Sequence, residues 1–152
     1  MKELLTTLLA AAFVAASAFA GALTLQVDDP RNDREAMAKK AIVAAHITAC
    51  QSPEKTTVTA TAEGIVNGKR QTIPLSIVRL STPGAFGVVH EWPSEGIWTV
   101  RMVATNPDYK DYATSVVVPV VKDVAKPALA RVFYHAASAT EVDSVLKQAT
   151  LE

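Results

Sequence analysis

From Thr56 to Ala62 the chain alternates cleanly, with Val58, Ala60 and Ala62 on one side and Thr57, Thr59 and Thr61 on the other. Successive side chains of a strand leave opposite faces, so a period of two marks a half-buried strand. Asn67-Gly68 follows, and both residues accept the positive φ that a type I′ turn requires. Beyond the turn, Gln71 to Leu80 reads as the return strand, with Ile73, Leu75 and Ile77 on one face. Pro74 lies on the other face and suggests an edge or a bulge, because proline cannot donate to a ladder. The pattern commits this part of the chain to an antiparallel hairpin.

The same reading extends in both directions. Leu23 to Val27 is a short first strand. Asp33 is placed to cap one or two helical turns over Arg34 to Lys40. Ala41 to Cys50 reads as a strand, although its alanines allow a helix, and Gln51 to Lys55 is a turn. Thr82-Pro83-Gly84 turns the chain into Ala85 to Glu91, with Phe86 and Val88 inward, and Pro93 to Gly96 turns it again. Ile97 to Ala104 places Trp98, Val100 and Met102 on one face. Asn106-Pro107-Asp108 is a further turn before Tyr112 to Val121, a Val-rich strand expected to be central. Lys122 to Lys126 is a polar connection, and Leu129 to His135 is the last strand. Thr140 is chosen over Ser138 as the N-cap of a helix running to about Gln148, with Val142, Val145 and Leu146 on one face. Seven or eight short strands at intervals near ten residues predict an all-β antiparallel sandwich with a short C-terminal helix.

The first residues carry a different pattern. Lys2 gives a positive start, weakened by Glu3. An uncharged run from Leu4 to Ala16 follows, and Ala18-Phe19-Ala20 supplies the small residues that a signal peptidase reads. Residues 1–20 are therefore expected to be a secretory signal, with Ala18 and Ala22 as alternative cleavage positions and an uncleaved anchor as the competing reading. Residues 21–40 form an N-terminal segment, 41–136 the sandwich domain and 137–152 the C-terminal helix. Removing the signal leaves about 130 residues, enough for one domain with its own core. The lone Cys50 makes no internal disulfide, which leaves it a buried hydrophobe, an intermolecular partner or a ligand. The formal charge is zero, so nothing basic enough for nucleic acid or an anionic membrane is present, and membrane contact would come only through an uncleaved signal segment.

Pro83-Gly84, the strand to Val89, Pro93 and Gly96-Ile97-Trp98 form a proline-glycine, strand, proline, glycine-x-tryptophan, strand layout. It resembles small exported bacterial immunoglobulin-like domains of the YtkA-like and FixH-like type, and transthyretin-like modules. The resemblance covers about a third of the chain after the signal. It implies an extracytoplasmic β-sandwich, periplasmic or secreted, that serves as a binding or accessory module. It transfers no catalytic residue.

Few residues invite chemistry. His46 and Cys50, four apart, share a face in a strand or a helix and would suit copper or zinc if further ligands converged. The plainer reading is a satisfied histidine and a packed thiol. Asp28, Asp29 and Asp33 are interleaved with Arg31 and Arg34, which suits a solvated loop better than a calcium loop. No G-x-S-x-G occurs, no catalytic residue is assigned and no cofactor is expected. Trp92, Tyr109 and Tyr112 sit on turns and are candidates for a partner patch, against the alternative that they cap the core. The expected function is a non-catalytic binding or accessory module for a protein or small ligand, with copper or zinc handling through His46 and Cys50 as the alternative. N-terminal sequencing of the protein recovered from a secreting host is expected to begin at Gly21; an intact Met1 on exported protein would overturn the cleavage site.

Overall fold

The computed structural model describes residues 23–151. The expected signal, residues 1–20, lies outside them. The hairpin forms where the alternation places it. Strand β3 (Thr57–Val66) and strand β4 (Lys69–Leu75) pair antiparallel in register from Val66–Lys69 to Ala60–Leu75. Asn67 and Gly68 join them with φ of 50° and 74°, the two positive angles of a type I′ turn. In such a hairpin the residues flanking the turn form a hydrogen-bonded pair, and the pairs alternate from there. Pro74, opposite Thr61, then falls at a pair whose backbone groups face outward. Its missing N–H costs the ladder nothing and blunts a free edge.

The return strand expected over Gln71 to Leu80 is two strands in two sheets. The chain leaves β4 at Ser76 and continues as β5 (Ile77–Arg79) in the opposite sheet. The Glu91 carboxylate holds that crossing, accepting from the Ser76 backbone N–H at 2.5 Å and from its hydroxyl at 2.7 Å. Ile73, Leu75 and Ile77 still share one environment, because both sheets face the same interior.

One sheet has the order β1-β2-β6-β5, with β1 (Thr24–Asp28), β2 (Ala41–Thr48) and β6 (Ala85–Val89). The other has the order β10-β8-β7-β3-β4, with β7 (Ile97–Thr105), β8 (Ala113–Val121) and β10 (Arg131–Phe133). The two-residue strand β9 (Val124–Ala125) also pairs with β8. All pairings are antiparallel. Ten strands replace the expected seven or eight. Part of the difference is the sheet change at Ser76. Another part is a tight turn at Lys122-Asp123, φ 50° and 63°, where a polar connection was expected. Neither residue is a glycine or asparagine, so the composition does not announce a type I′ hairpin there. The last strand is shorter than Leu129 to His135 because Pro127–Leu129 forms a 3-10 turn before it.

The inward faces of both sheets build one core. Val43, Ala45, Phe86 and Val88 come from the first sheet, and Ala62, Val100, Met102, Val116 and Val118 from the second. Trp98 is 2 % exposed, and its indole N–H donates to the Glu95 carbonyl at 2.8 Å. Gly64 lies against the ring: a Cβ there would come 2.3 Å from Trp98 Cε3 and 2.5 Å from the Ile97 oxygen.

Two helices cover outer faces. Helix α1 (Arg34–Ala38) is capped by Asp33, whose carboxylate accepts from the Glu35 and Ala36 N–H groups. It seals a small cluster of Ala36, Ala41, Ala44, Leu80 and Ala85. Helix α2 (Ala139–Ala149) lays Val142, Val145 and Leu146 over Val117. That cover buries β8 on both faces, which accounts for its valine run. The N-cap is Ser138, not Thr140. Ser138 Oγ accepts from the Glu141 N–H, and the Glu141 carboxylate accepts from the Ser138 N–H at 2.8 Å, a complete capping box. Thr140 lies inside the first turn.

Gly64→Ala is expected to lower stability by about 3 kcal/mol, since neither the indole nor the backbone can retreat. Gly68→Ala, with nothing within 4 Å of its Cβ, is expected to cost about 1 kcal/mol through its positive φ alone. Urea unfolding of both variants checks the difference; equal losses would refute the steric account of Gly64.

Candidate functional site

At one end of the molecule the edge strand β1 meets the β8–β9 hairpin across a cleft of about 770 Å³. Local sequence makes both walls. Asp29 follows β1 and caps the 3-10 turn Pro30–Asn32, accepting from the Arg31 N–H at 2.9 Å. Proline at the first position of that turn needs no hydrogen-bonded N–H. A register shift between Ala41 and Val43 puts the start of β2, with Ile42, on the cleft floor. The Lys122-Asp123 turn folds Val124 and Ala125 back along β8, and Pro127 turns the chain away. The lining is therefore mainly apolar, with Asp28, Asp29, Asp123, Arg31 and Lys126 as its charged groups.

Each carboxylate has its own partner. The Arg31 guanidinium grips Asp29 and, with the Arg31 backbone N–H, holds its carboxyl down at about 2. Asp28 Oδ2 lies 2.6 Å from His46 Nε2. Asp123 Oδ1 accepts from Trp92 Nε1 at 3.2 Å and stands 3.6 Å from His90 Nε2. His90 and Trp92 pack with ring centroids 4.2 Å apart and planes tilted by 51°. Lys126 is exposed at the rim, where its charge also favours ionised Asp29.

His46 and Cys50 do not meet. His46 is on the outer face of β2, beside Asp28, whereas Ala49 adopts φ 57° and breaks the alternation. Cys50 then packs against the interior core and receives a hydrogen bond from the Asn106 amide. That amide also donates to the Ser52 carbonyl and the Thr56 hydroxyl, so it ties the loops at that end together. Among the described residues, no three metal-ligating side chains gather.

Trp92, Tyr109 and Tyr112 do not form one patch. Trp92 is 5 % exposed, part of the core, and tied to Asp123 beyond the end of β8. Tyr109 and Tyr112 are half-buried in the β7–β8 loop, before β8 begins. The nine residues of β8 separate the two groups. Tyr112 packs against the core, as the capping alternative would have it.

Asp123, Val124 and Lys126 escaped the sequence reading, because a polar connection hid the hairpin that presents them. Asp28 and Asp29 are expected from the sequence in a solvated loop, whereas Asp28 ends β1 and Asp29 caps the turn after it. Their position opposite β9 has no signature in a one-dimensional pattern.

Several exposed carboxyls share the behaviour of Asp29. Glu35 is held at about 2 by Lys39 and by the Ser81 hydroxyl and N–H. Glu91 is lowered by Ser76, Asp108 by Lys55 and Glu141 by Ser138. A carboxyl whose folded pKa lies below its unfolded value stabilises the fold above the unfolded value, and the effect is lost as pH falls through the folded one. Stability measured by urea midpoint is thus expected to fall between about pH 5 and pH 2. Asp29→Asn and Glu35→Gln should each flatten that dependence; an unchanged slope in both would refute it. No protein-family model matches the chain, and no curated protein or solved structure matches it.

Proposed function

We propose that this chain is an exported immunoglobulin-like β-sandwich acting as a non-catalytic binding or accessory module through the cleft between β1 and β9. The strand order supports the fold half of this reading. β1-β2-β6-β5 faces β4-β3-β7-β8, which corresponds to A-B-E-D facing C′-C-F-G in immunoglobulin-like sandwiches. The strand β10 and the helix α2 are additions on the G side.

The cleft carries the functional half. Its volume, about 770 Å³, is within the range of small-molecule sites, and its lining is mainly apolar with charged groups among it. Among the described residues no hydroxyl or thiol side chain lines it, and its carboxylates are each engaged by a neighbour. That is the chemistry of recognition: an apolar surface for area and fixed charges for orientation. Export accords with the apolar run and small-residue cleavage pattern of residues 1–20.

The test uses a neutral apolar probe on isotope-labelled protein. Titration with 1-octanol is expected to move the backbone amide signals of Ile42, Val124 and Ala128 together. Ala128 is exposed on the cleft wall, so Ala128→Trp should fill the space without disturbing the core and abolish those shifts. Shifts scattered over the surface, or unchanged in the tryptophan variant, would overturn the assignment.

A further inference from the structure

Five charged side chains line the cleft, and they are not equivalent. Asp29 and Arg31 neutralise each other through paired hydrogen bonds. That leaves Asp28, Asp123 and Lys126. Each of these two carboxylates faces a histidine, His46 at 2.6 Å and His90 at 3.6 Å. Lys126 makes no ion pair among the described residues.

Histidine changes charge between about pH 5 and pH 8. With both imidazoles neutral, two carboxylates oppose one ammonium and the cleft repels anions. With both protonated, the carboxylates are compensated and Lys126 is left as the uncompensated charge among the described lining residues. These groups lie within about one Debye length, roughly 8 Å at physiological salt, of the lining they border. The sign of the charge offered to a ligand therefore reverses when both imidazoles take up a proton.

Among the described residues no other ion pair competes for the two rings. Beside His46, β1 presents Asp28 and β6 presents Ala85. On α1, Glu35 is committed to Lys39 and Ser81, and Arg34 is exposed without an ion pair. His90 packs on Trp92 and faces Asp123; Glu91 is turned to Ser76, and Lys122 precedes Asp123 in its turn without an ion pair. Ile42, Val124, Ala125 and Pro127 give the lining its apolar surface, and Asp29, whose ionised form the Lys126 charge favours, is already held by Arg31.

We infer that the cleft is a proton-gated site for an amphiphilic anion, an apolar chain with one anionic head group, held by Lys126 and admitted when His46 and His90 are protonated. This rests on the reading of the cleft as a binding site and adds its ligand class and its regulation.

Calorimetric titration at about pH 5.5 and about pH 7.5 brackets the histidine range. The probes are 1-octanesulfonate and octylammonium, whose own charges do not change across it, and neutral 1-octanol. Octanesulfonate is expected to bind about tenfold more tightly at the lower pH, about threefold from each histidine. Octylammonium should show the opposite trend and octanol none. The double variant His46→Gln, His90→Gln should remove the pH response, and Lys126→Gln should weaken octanesulfonate but not octanol. His135→Gln is the control, since His135 pairs with Glu141 away from the cleft. A sulfonate affinity equal at both pH values, or a pH response surviving in the double variant, would overturn the inference. Octanol binding at the cleft with no preference for the anion at low pH would overturn this inference alone. Failure of all three probes to bind would remove the cleft reading with it.

Discussion

Trp98, packed on Gly64 of the neighbouring strand in its own sheet, is the largest fully buried side chain described in the core between the two sheets. Trp98 is the second residue of β7, the strand paired on both sides by β3 and β8, and its ring reaches across the β3 backbone at the one residue there without a Cβ. The indole needs a polar partner to be buried, and it finds one in the carbonyl of Glu95. That carbonyl is in position because Gly96 turns the chain with φ 98°. A glycine at 64, a glycine at 96 and a tryptophan at 98 are thus one unit. Truncating a buried ring of this size typically costs about 3–5 kcal/mol, a large share of the stability of a domain this small.

The outer faces are governed by charge as well as apolar cover. Glu63, nearly buried on β3, is flanked by Arg70 and Arg101, and Arg70 reaches on to Asp143 of α2. The Glu63 carboxylate is therefore balanced locally, and the further Arg70 contact holds the helix. The cleft follows a different logic. There the Asp28 and Asp123 carboxylates have histidine partners, which cancel charge only when protonated. Glu63 is matched by permanent charges, whereas Asp28 and Asp123 are matched only while their histidines carry a proton.

Legibility in the sequence varied with the kind of information each element needs. The β3–β4 hairpin was readable because alternation and Asn67-Gly68 are both local. The inward sides of β6 and β7 were readable for the same reason: Phe86, Val88, Trp98, Val100 and Met102 all lie in the core. The sheet change at Ser76 was not, because it depends on Glu91, fifteen residues away. Ser138 and Thr140 both start capping patterns, and only the chain path before α2 decides between them. Cys50 was expected on the face of His46, and a single positive φ at Ala49 was enough to separate them.

By itself the sequence determined the antiparallel strands, the faces they bury and the helix at the end, since periodicity and turn chemistry act over a few residues. Tertiary structure alone decided which strands share a sheet, and so where the β1 edge meets the β8–β9 hairpin. The cleft is a product of that meeting. Its charges come from positions 28, 29, 31, 123 and 126, two stretches about ninety residues apart that local rules do not connect. They are brought together because burying Trp98 and its neighbours between two sheets leaves the sheet edges to face each other.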